Sequence, residues 1–131
     1  MNIPEPIPEV SNILSGKVVK AALEVHTVLG PGLLESAYET CLVKELADQG
    51  ITCRRQVPLP VKYKGVELEA GYRIDILVEN KVIIELKTAE RFMPVHSAQM
   101  MTYLRLSGCR VGLLLNFNVR SMKNGIKRVV V

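Results

Sequence analysis

From Glu9 to Leu29 the apolar residues Leu14, Val18, Ala22, Val25 and Leu29 return every three or four positions. That period puts them on one side of an α-helix, and Gly30-Pro31-Gly32 ends it. Upstream, Pro4, Pro6 and Pro8 forbid a regular helix, so residues 1–8 read as an extended arm with Pro8 able to open the helix. A second helix is expected from Leu33 to about Gln49, with Tyr38, Leu42 and Leu46 as its buried stripe and Gly50 beyond its end. The pattern then turns strand-like. Thr52 to Tyr63, Val66 to Val78 and Val82 to Lys87 read as a three-stranded meander, with turns at Lys64-Gly65 and Glu79-Asn80-Lys81 and a bend at Gly71. Pro58 and Pro60 mark the first of these strands as an edge or as partly irregular. A third helix opens at Pro94 and closes at Gly108. The unbroken apolar run Val111 to Phe117 predicts a strand covered on both faces. A loop over Asn116 to Gly125 leads to a short final strand, Ile126 to Val131. The order α, α, β, β, β, α, β, β predicts a domain of the α/β or α+β class over residues 9–131, its helices packed on a mixed sheet.

Within the meander, charge interrupts burial at Asp75, Glu85 and Lys87, where Val and Ile would be favoured. Such residues are rarely buried unpaired. Alternation places Glu85 and Lys87 on one face with Ile83, and Asp75 on a face with Arg73 and Leu77. The loop length decides how these faces meet. A two-residue loop would pair Asp75 with Leu86. A three-residue loop, Glu79 to Lys81, or a bulge with the same effect, pairs Asp75 with Glu85 and Arg73 with Lys87. The three-residue loop is expected, because opposed Cβ atoms lie roughly 5 Å apart and both carboxylates then reach one ion.

The chain has 131 residues, 48% of them hydrophobic, enough for one domain with a proper core. No apolar run approaches the roughly 20 residues that span a bilayer, and the N-terminus lacks signal-peptide character. A membrane partner is not expected. Cys41, Cys53 and Cys109 are odd in number and lack CxxC spacing, so free thiols in a reducing cytoplasm are expected rather than disulfides or zinc. The net charge of +4 is compatible with a polyanionic partner, although the basic residues form no tract.

Two carboxylates with the Leu86 carbonyl between them make a hard-oxygen donor set suited to Mg²⁺. Such an ion activates water and stabilises charge on a phosphate, and Lys87 can orient the water or share that charge. The plainer alternative is a structural salt bridge between Lys87 and one acid. Gln99 and Tyr103 share a face of the third helix, with His96 close to it; an ordinary helix surface is the plain reading there too. Glu35 follows Gly32 in a G-x-x-E-x-x-Y spacing. With Gly32 as N-cap it would favour the helix dipole, and it can equally point into the site as a further ligand. His26 reads as a core-edge histidine, and Asn116-Phe117-Asn118 closes a buried strand of the kind that lines sites.

These motifs together resemble the GxxExxY family, a branch of the PD-(D/E)xK nuclease superfamily. The resemblance runs from about Val25 to Arg128. It rests on Leu29-Gly30-Pro31-Gly32, Gly32-x-x-Glu35-x-x-Tyr38, Val61-x-Tyr63-x-Gly65, Tyr72-Arg73-x-Asp75, Glu85-Leu86-Lys87, His96-x-x-Gln99-x-x-x-Tyr103-Leu104 and Leu115-Asn116-Phe117. It implies a restriction-endonuclease-like αβββαβ core with an extra N-terminal helix. It also implies Asp75 and Glu85 as metal ligands, helped on the donor chemistry above by the Leu86 carbonyl, with Lys87 as the catalytic lysine and Glu35 as the first-helix acid. Gln99 and Tyr103 match a supporting Q-x-x-x-Y motif. Ile74 stands where the superfamily often has proline. The implied activity is Mg²⁺-dependent, or Mn²⁺-dependent, hydrolysis of nucleic acid, with DNA the expected substrate. The competing class is a non-catalytic nucleic-acid-binding or regulatory module on the same fold. The small size leaves room for a homodimer or a protein partner.

Overall fold

The computed structural model describes residues 5–69 and 71–131. Its frame is a five-stranded mixed sheet in the order β1-β4-β5-β6-β7, made by Cys53–Pro58, Arg73–Val78, Val82–Lys87, Val111–Asn116 and Ile126–Val130. Helices α1 (Glu9–Leu29) and α2 (Glu35–Asp48) cover one face, and α3 (Pro94–Ser107) covers the other. The path α2-β1-β4-β5-α3-β6 is the expected αβββαβ core, and α1 is the additional helix.

The α1–α2 layer follows the predicted stripes. Leu14, Val18, Ala22 and Val25 of α1 and Tyr38, Leu42 and Leu46 of α2 are buried against Ile76, Val78, Ile84, Leu86, Leu113 and Leu115 of the sheet. On the other face Met100, Tyr103 and Leu104 of α3 pack on Leu77, Ile83 and Leu114. Gly112 makes that contact close, since a Cβ there would lie 2.3 Å from the Met100 sulfur. Strand β6 is buried at every position and runs parallel to β5, as its apolar run requires. Its side chain at Asn116 is buried too, and it holds the chain after β5 by accepting from the Ala89 amide and donating to the Ala89 carbonyl.

The expected long strands are shorter. Lys62–Tyr63 (β2) and Val66–Glu67 (β3) pair only with each other, as a hairpin outside the main sheet. Pro58 and Pro60 leave the segment without the amides a continuing ladder needs, and the last link is Leu59 N–H to the Tyr72 carbonyl at 2.9 Å. Position 70 of the expected second strand, and positions 1–4 of the expected arm, lie outside the described residues. Strand β1 is an edge, as its prolines suggested.

Helix α2 begins at Glu35 with Leu34 as its N-cap, not at Leu33 with Gly32 as the cap. Gly32 is instead part of the turn, at φ +101°, a conformation open chiefly to glycine. The buried Tyr38 closes this turn. Its hydroxyl donates to the Gly30 carbonyl at 2.6 Å and accepts from the Leu33 amide at 3.1 Å, while its ring stacks on Phe117 at 4.3 Å. The outer positions of G-x-x-E-x-x-Y therefore form a clamp that fixes where α2 starts. His26 is buried, with Nε2 2.7 Å from the Val119 carbonyl, as a core-edge histidine should be. Cys41, Cys53 and Cys109 are all free thiols, and burial beside Glu79 pushes Cys53 up to about 11.

Tyr38→Phe keeps the stacked ring and strips both turn bonds. It should lower unfolding free energy by about 1–2 kcal/mol in urea denaturation, the cost of leaving inward-facing polar groups without a partner.

Candidate active site

Strands β4 and β5 are joined in the register of the three-residue loop: Val78 pairs with Val82, Leu77 with Ile83 and Ile76 with Ile84. Glu79 and Asn80 make the reversal at φ +50° and +57°, and Lys81 N–H donates to the Val78 carbonyl at 2.9 Å. The next step along this register sets Asp75 opposite Glu85. There the regular ladder stops, and Arg73 and Lys87 do not continue it as a pair. Side chains take over from backbone. Asp75 N–H donates to Glu85 Oε1 at 3.3 Å, and Leu86 N–H donates to Asp75 Oδ2 at 2.8 Å.

The other neighbour of β4 is interrupted at the same point. Arg55 pairs with Ile76 and Val57 with Ile74, but Gln56 and Asp75 do not pair. Gln56 sits at φ +50°, which a residue with a side chain adopts only under local constraint. With no regular backbone pairing on either side, β4 twists at Asp75. Ile74 packs in the α3 layer although Ile76, two residues on, packs in the α1–α2 layer. Strict alternation therefore fails here. Asp75 does not share a side with Leu77 but lines a cavity of about 100 Å³ with Glu35, Ser36, Glu39, Gln56 and Leu86.

Glu85 is 5% exposed. Burial, and then the Asp75 carboxylate beside it, push its carboxyl up to about 9. The same pair acts on Tyr103 of α3. Its hydroxyl is raised first by burial and then by the fields of Glu85 and Asp75. Gln99 Nε2 donates to that hydroxyl at 3.3 Å, so the Q-x-x-x-Y residues act together and near the carboxylates. Lys87 is half-buried at the end of β5 and makes no salt bridge among the described residues, so the structure does not show the plain ion pair. Glu35 stands at the mouth of the Asp75 cavity, where Thr88 Oγ1 donates to its Oε2 at 3.4 Å. Among the described residues it does not complete a group of three acids, histidines or cysteines around one point. The contact that Leu86 shows to the pair runs through its amide. His96 caps α3, with Nδ1 accepting from the Met93 amide at 3.0 Å.

Sequence reasoning missed a second line of support. Glu39, 7% exposed, receives Nε and Nη2 of Arg55 at 3.1 and 2.9 Å and Nε2 of Gln56 at 2.7 Å. The same Gln56 amide reaches Asp75 Oδ1 at 3.5 Å. This chain ties α2 and β1 to the distorted point of β4. Glu39 lies one helical turn beyond Glu35, which was a signal available in the sequence. Nothing in the alternation of β1 marked Gln56.

The chain matches the family described as the PD-(D/E)XK nuclease superfamily over residues 12–129, and it belongs to that superfamily. Members of the superfamily generally use divalent metal ions. The fold is shared with the crystal structure of SSO0001 at a TM-score of 0.50 and 16% identity, over 89% of this chain and 77% of that one. No curated protein matches the chain. Among the described residues no helix is long and apolar enough to cross a membrane.

Two expectations follow. Glu85 holds its proton more tightly when folded than when unfolded, so its contribution to stability is fully present below about pH 4.5 and is lost as pH rises towards 9. Thermal melts in chelator should show Glu85→Gln with a higher Tm than wild type at pH 8, by at least about 3 °C, and a narrowed gap at pH 5. Glu39→Ala should cost about 1–2 kcal/mol of stability, a figure discounted because Arg55 is partly in solvent. Glu39→Gln, which can still accept from Gln56, should recover part of that loss.

Proposed function

We propose that this protein is a divalent-metal-dependent nuclease of the GxxExxY branch that hydrolyses phosphodiester bonds, with DNA as its substrate and Mg²⁺ as its ion. We take residues 9–131 as the catalytic domain, working in the cytoplasm. The observation that carries the reading is the face-to-face pair Asp75 and Glu85, at the one step where β4 leaves its regular ladders, with Lys87 two residues further along β5.

The donor chemistry fits the ion. Two carboxylates approach each other with no basic side chain within salt-bridge distance of either among the described residues. Mg²⁺ commonly takes one or two carboxylates and completes its shell with water and substrate phosphate, so a third protein acid is not required. Asp75 and Glu85 hold the ion, with the Leu86 carbonyl as the neutral ligand. Once bound, it supplies Lewis acidity and a lowered pKa for water.

The remaining work falls to side chains of this chain. Lys87, without a salt bridge among the described residues, presents its ammonium at the end of β5, where it orients the attacking water and offsets charge on the phosphate. Glu35 faces the same mouth from the start of α2 and accepts hydrogen bonds from water entering the Asp75 cavity. Gln99 holds the Tyr103 hydroxyl, and Tyr103 closes the α3 side of the carboxylate pair. Gln56 and the Arg55–Glu39 pair hold Asp75 in its turned position. A pair that only stabilised the fold would gain little from burying Glu85 against a second acid with no basic side chain within salt-bridge distance among the described residues.

The test is cleavage of end-labelled single- and double-stranded DNA at low salt with Mg²⁺, Mn²⁺ or EDTA. Wild type should cut only with metal, and both Asp75→Ala and Lys87→Ala should lose at least about 100-fold of that rate while keeping a cooperative melt. Metal-dependent cutting that persists in Asp75→Ala would sink the mechanism. Salt-sensitive DNA binding without any turnover would move the protein to the non-catalytic binding class.

A further inference from the structure

Gln99 and Tyr103 also line a second cavity. It lies between α3 and the chain around the β2–β3 hairpin, with a volume of about 220 Å³. Leu68 and Leu106 are among its apolar walls, and Tyr72 and Thr102 join the Gln99–Tyr103 pair in the lining. The two tyrosines meet edge to face, with ring centroids 6.4 Å apart. Tyr72 remains 42% exposed, Leu68 43% and Leu106 45%, which is much apolar surface to leave around one opening.

We propose that this cavity is a nucleobase pocket, and that the protein engages an unpaired strand, placing one base between Tyr72 and α3 while the adjoining phosphate lies at Asp75 and Glu85. The inference rests on the nuclease reading and narrows it to single-stranded or frayed nucleic acid.

Four features select a base over other occupants. The cavity is smaller than the roughly 300 Å³ at which pockets for drug-sized ligands begin, so it suits one flat ring system. An exposed tyrosine face provides the stacking platform that bases use regardless of sequence. The amide of Gln99, the Tyr103 hydroxyl and the Thr102 hydroxyl add donors and acceptors to an otherwise apolar wall, matching the polar edge of a base. Tyr103 lines the cavity and also feels the fields of Glu85 and Asp75, so a nucleotide seated in the cavity can extend its phosphate towards the carboxylates. A base within a duplex has its faces stacked and its edge paired, and it cannot enter without being turned out.

The experiment is binding in EDTA, where no cleavage occurs, using oligodeoxynucleotides with a single 2-aminopurine and their blunt duplexes. Wild type, Tyr72→Phe and Tyr72→Leu are compared after melts show that each is folded. Wild type should prefer the single strand, with 2-aminopurine fluorescence quenched at one position near the bound end. Tyr72→Phe should behave as wild type. Tyr72→Leu should bind single strands about 5- to 100-fold more weakly, lose the quenching and keep its duplex affinity. Equal single-strand binding by Tyr72→Leu, or a preference for duplex, overturns the pocket and leaves the nuclease reading standing. If wild type binds neither nucleic acid at low salt, both fall. An apolar peptide or second copy as the occupant would appear as oligomerisation that Tyr72→Leu abolishes without any effect on nucleic acid, and that also overturns the base pocket.

Discussion

Two carboxylates stand where backbone hydrogen bonds would otherwise join β4 to β5, and the site depends on that exchange. Asp75 and Leu86 give their amide hydrogens to acid side chains rather than to a facing carbonyl. The geometry ties each acid to the other's strand. It also brings like charges together in a place with little water, which is why burial and Asp75 together raise Glu85. A protein keeps such an arrangement only if the rest of the fold over-determines it. Here β5 is held between β4 and the wholly buried β6, and helices press on both faces of the sheet.

The twist at Asp75 gives the site two sides. Because Ile74 and Ile76 enter opposite layers, the chain at Asp75 lies across the sheet and not flat within it. One side opens on α2, with Glu35, Glu39 and Gln56. On the other, towards α3, the Tyr103 hydroxyl feels the fields of both carboxylates and is held by Gln99. A flat β4 with unbroken alternation would have put Asp75 on the Leu77 side and left α2 without a view of it. The local strain at Gln56 is part of the same distortion, and it is held by bonds to Glu39 rather than by the ladder.

The motifs divide accordingly into parts that build and parts that face the site. Gly32 and Tyr38 build: they shape the turn before α2 and lock it onto Phe117. Glu35, between them in sequence, faces the opening because that turn sets the start of the helix. Asn116 builds as well, pinning the chain just after Lys87 through Ala89. The lysine end of β5 is thereby braced from the neighbouring strand.

Much of this was decided by the sequence alone. Period 3.6 in α1 and α2, the apolar run of β6 and the three residues between β4 and β5 are local signals, because burial of one face and closure of one turn involve only near neighbours. That Asp75 and Glu85 come opposite each other could be read from loop length together with the chemical need to oppose the acids. Other features belong to the tertiary structure. The failure of alternation at Asp75, the Arg55–Glu39–Gln56 support, the departure of β2 and β3 from the main sheet and the cavity beside Tyr72 each join segments distant in sequence. Hydrophobic pattern records which way a residue faces within its own element. It carries no record of which polar groups from another element will meet it, and those meetings settle where the carboxylates point.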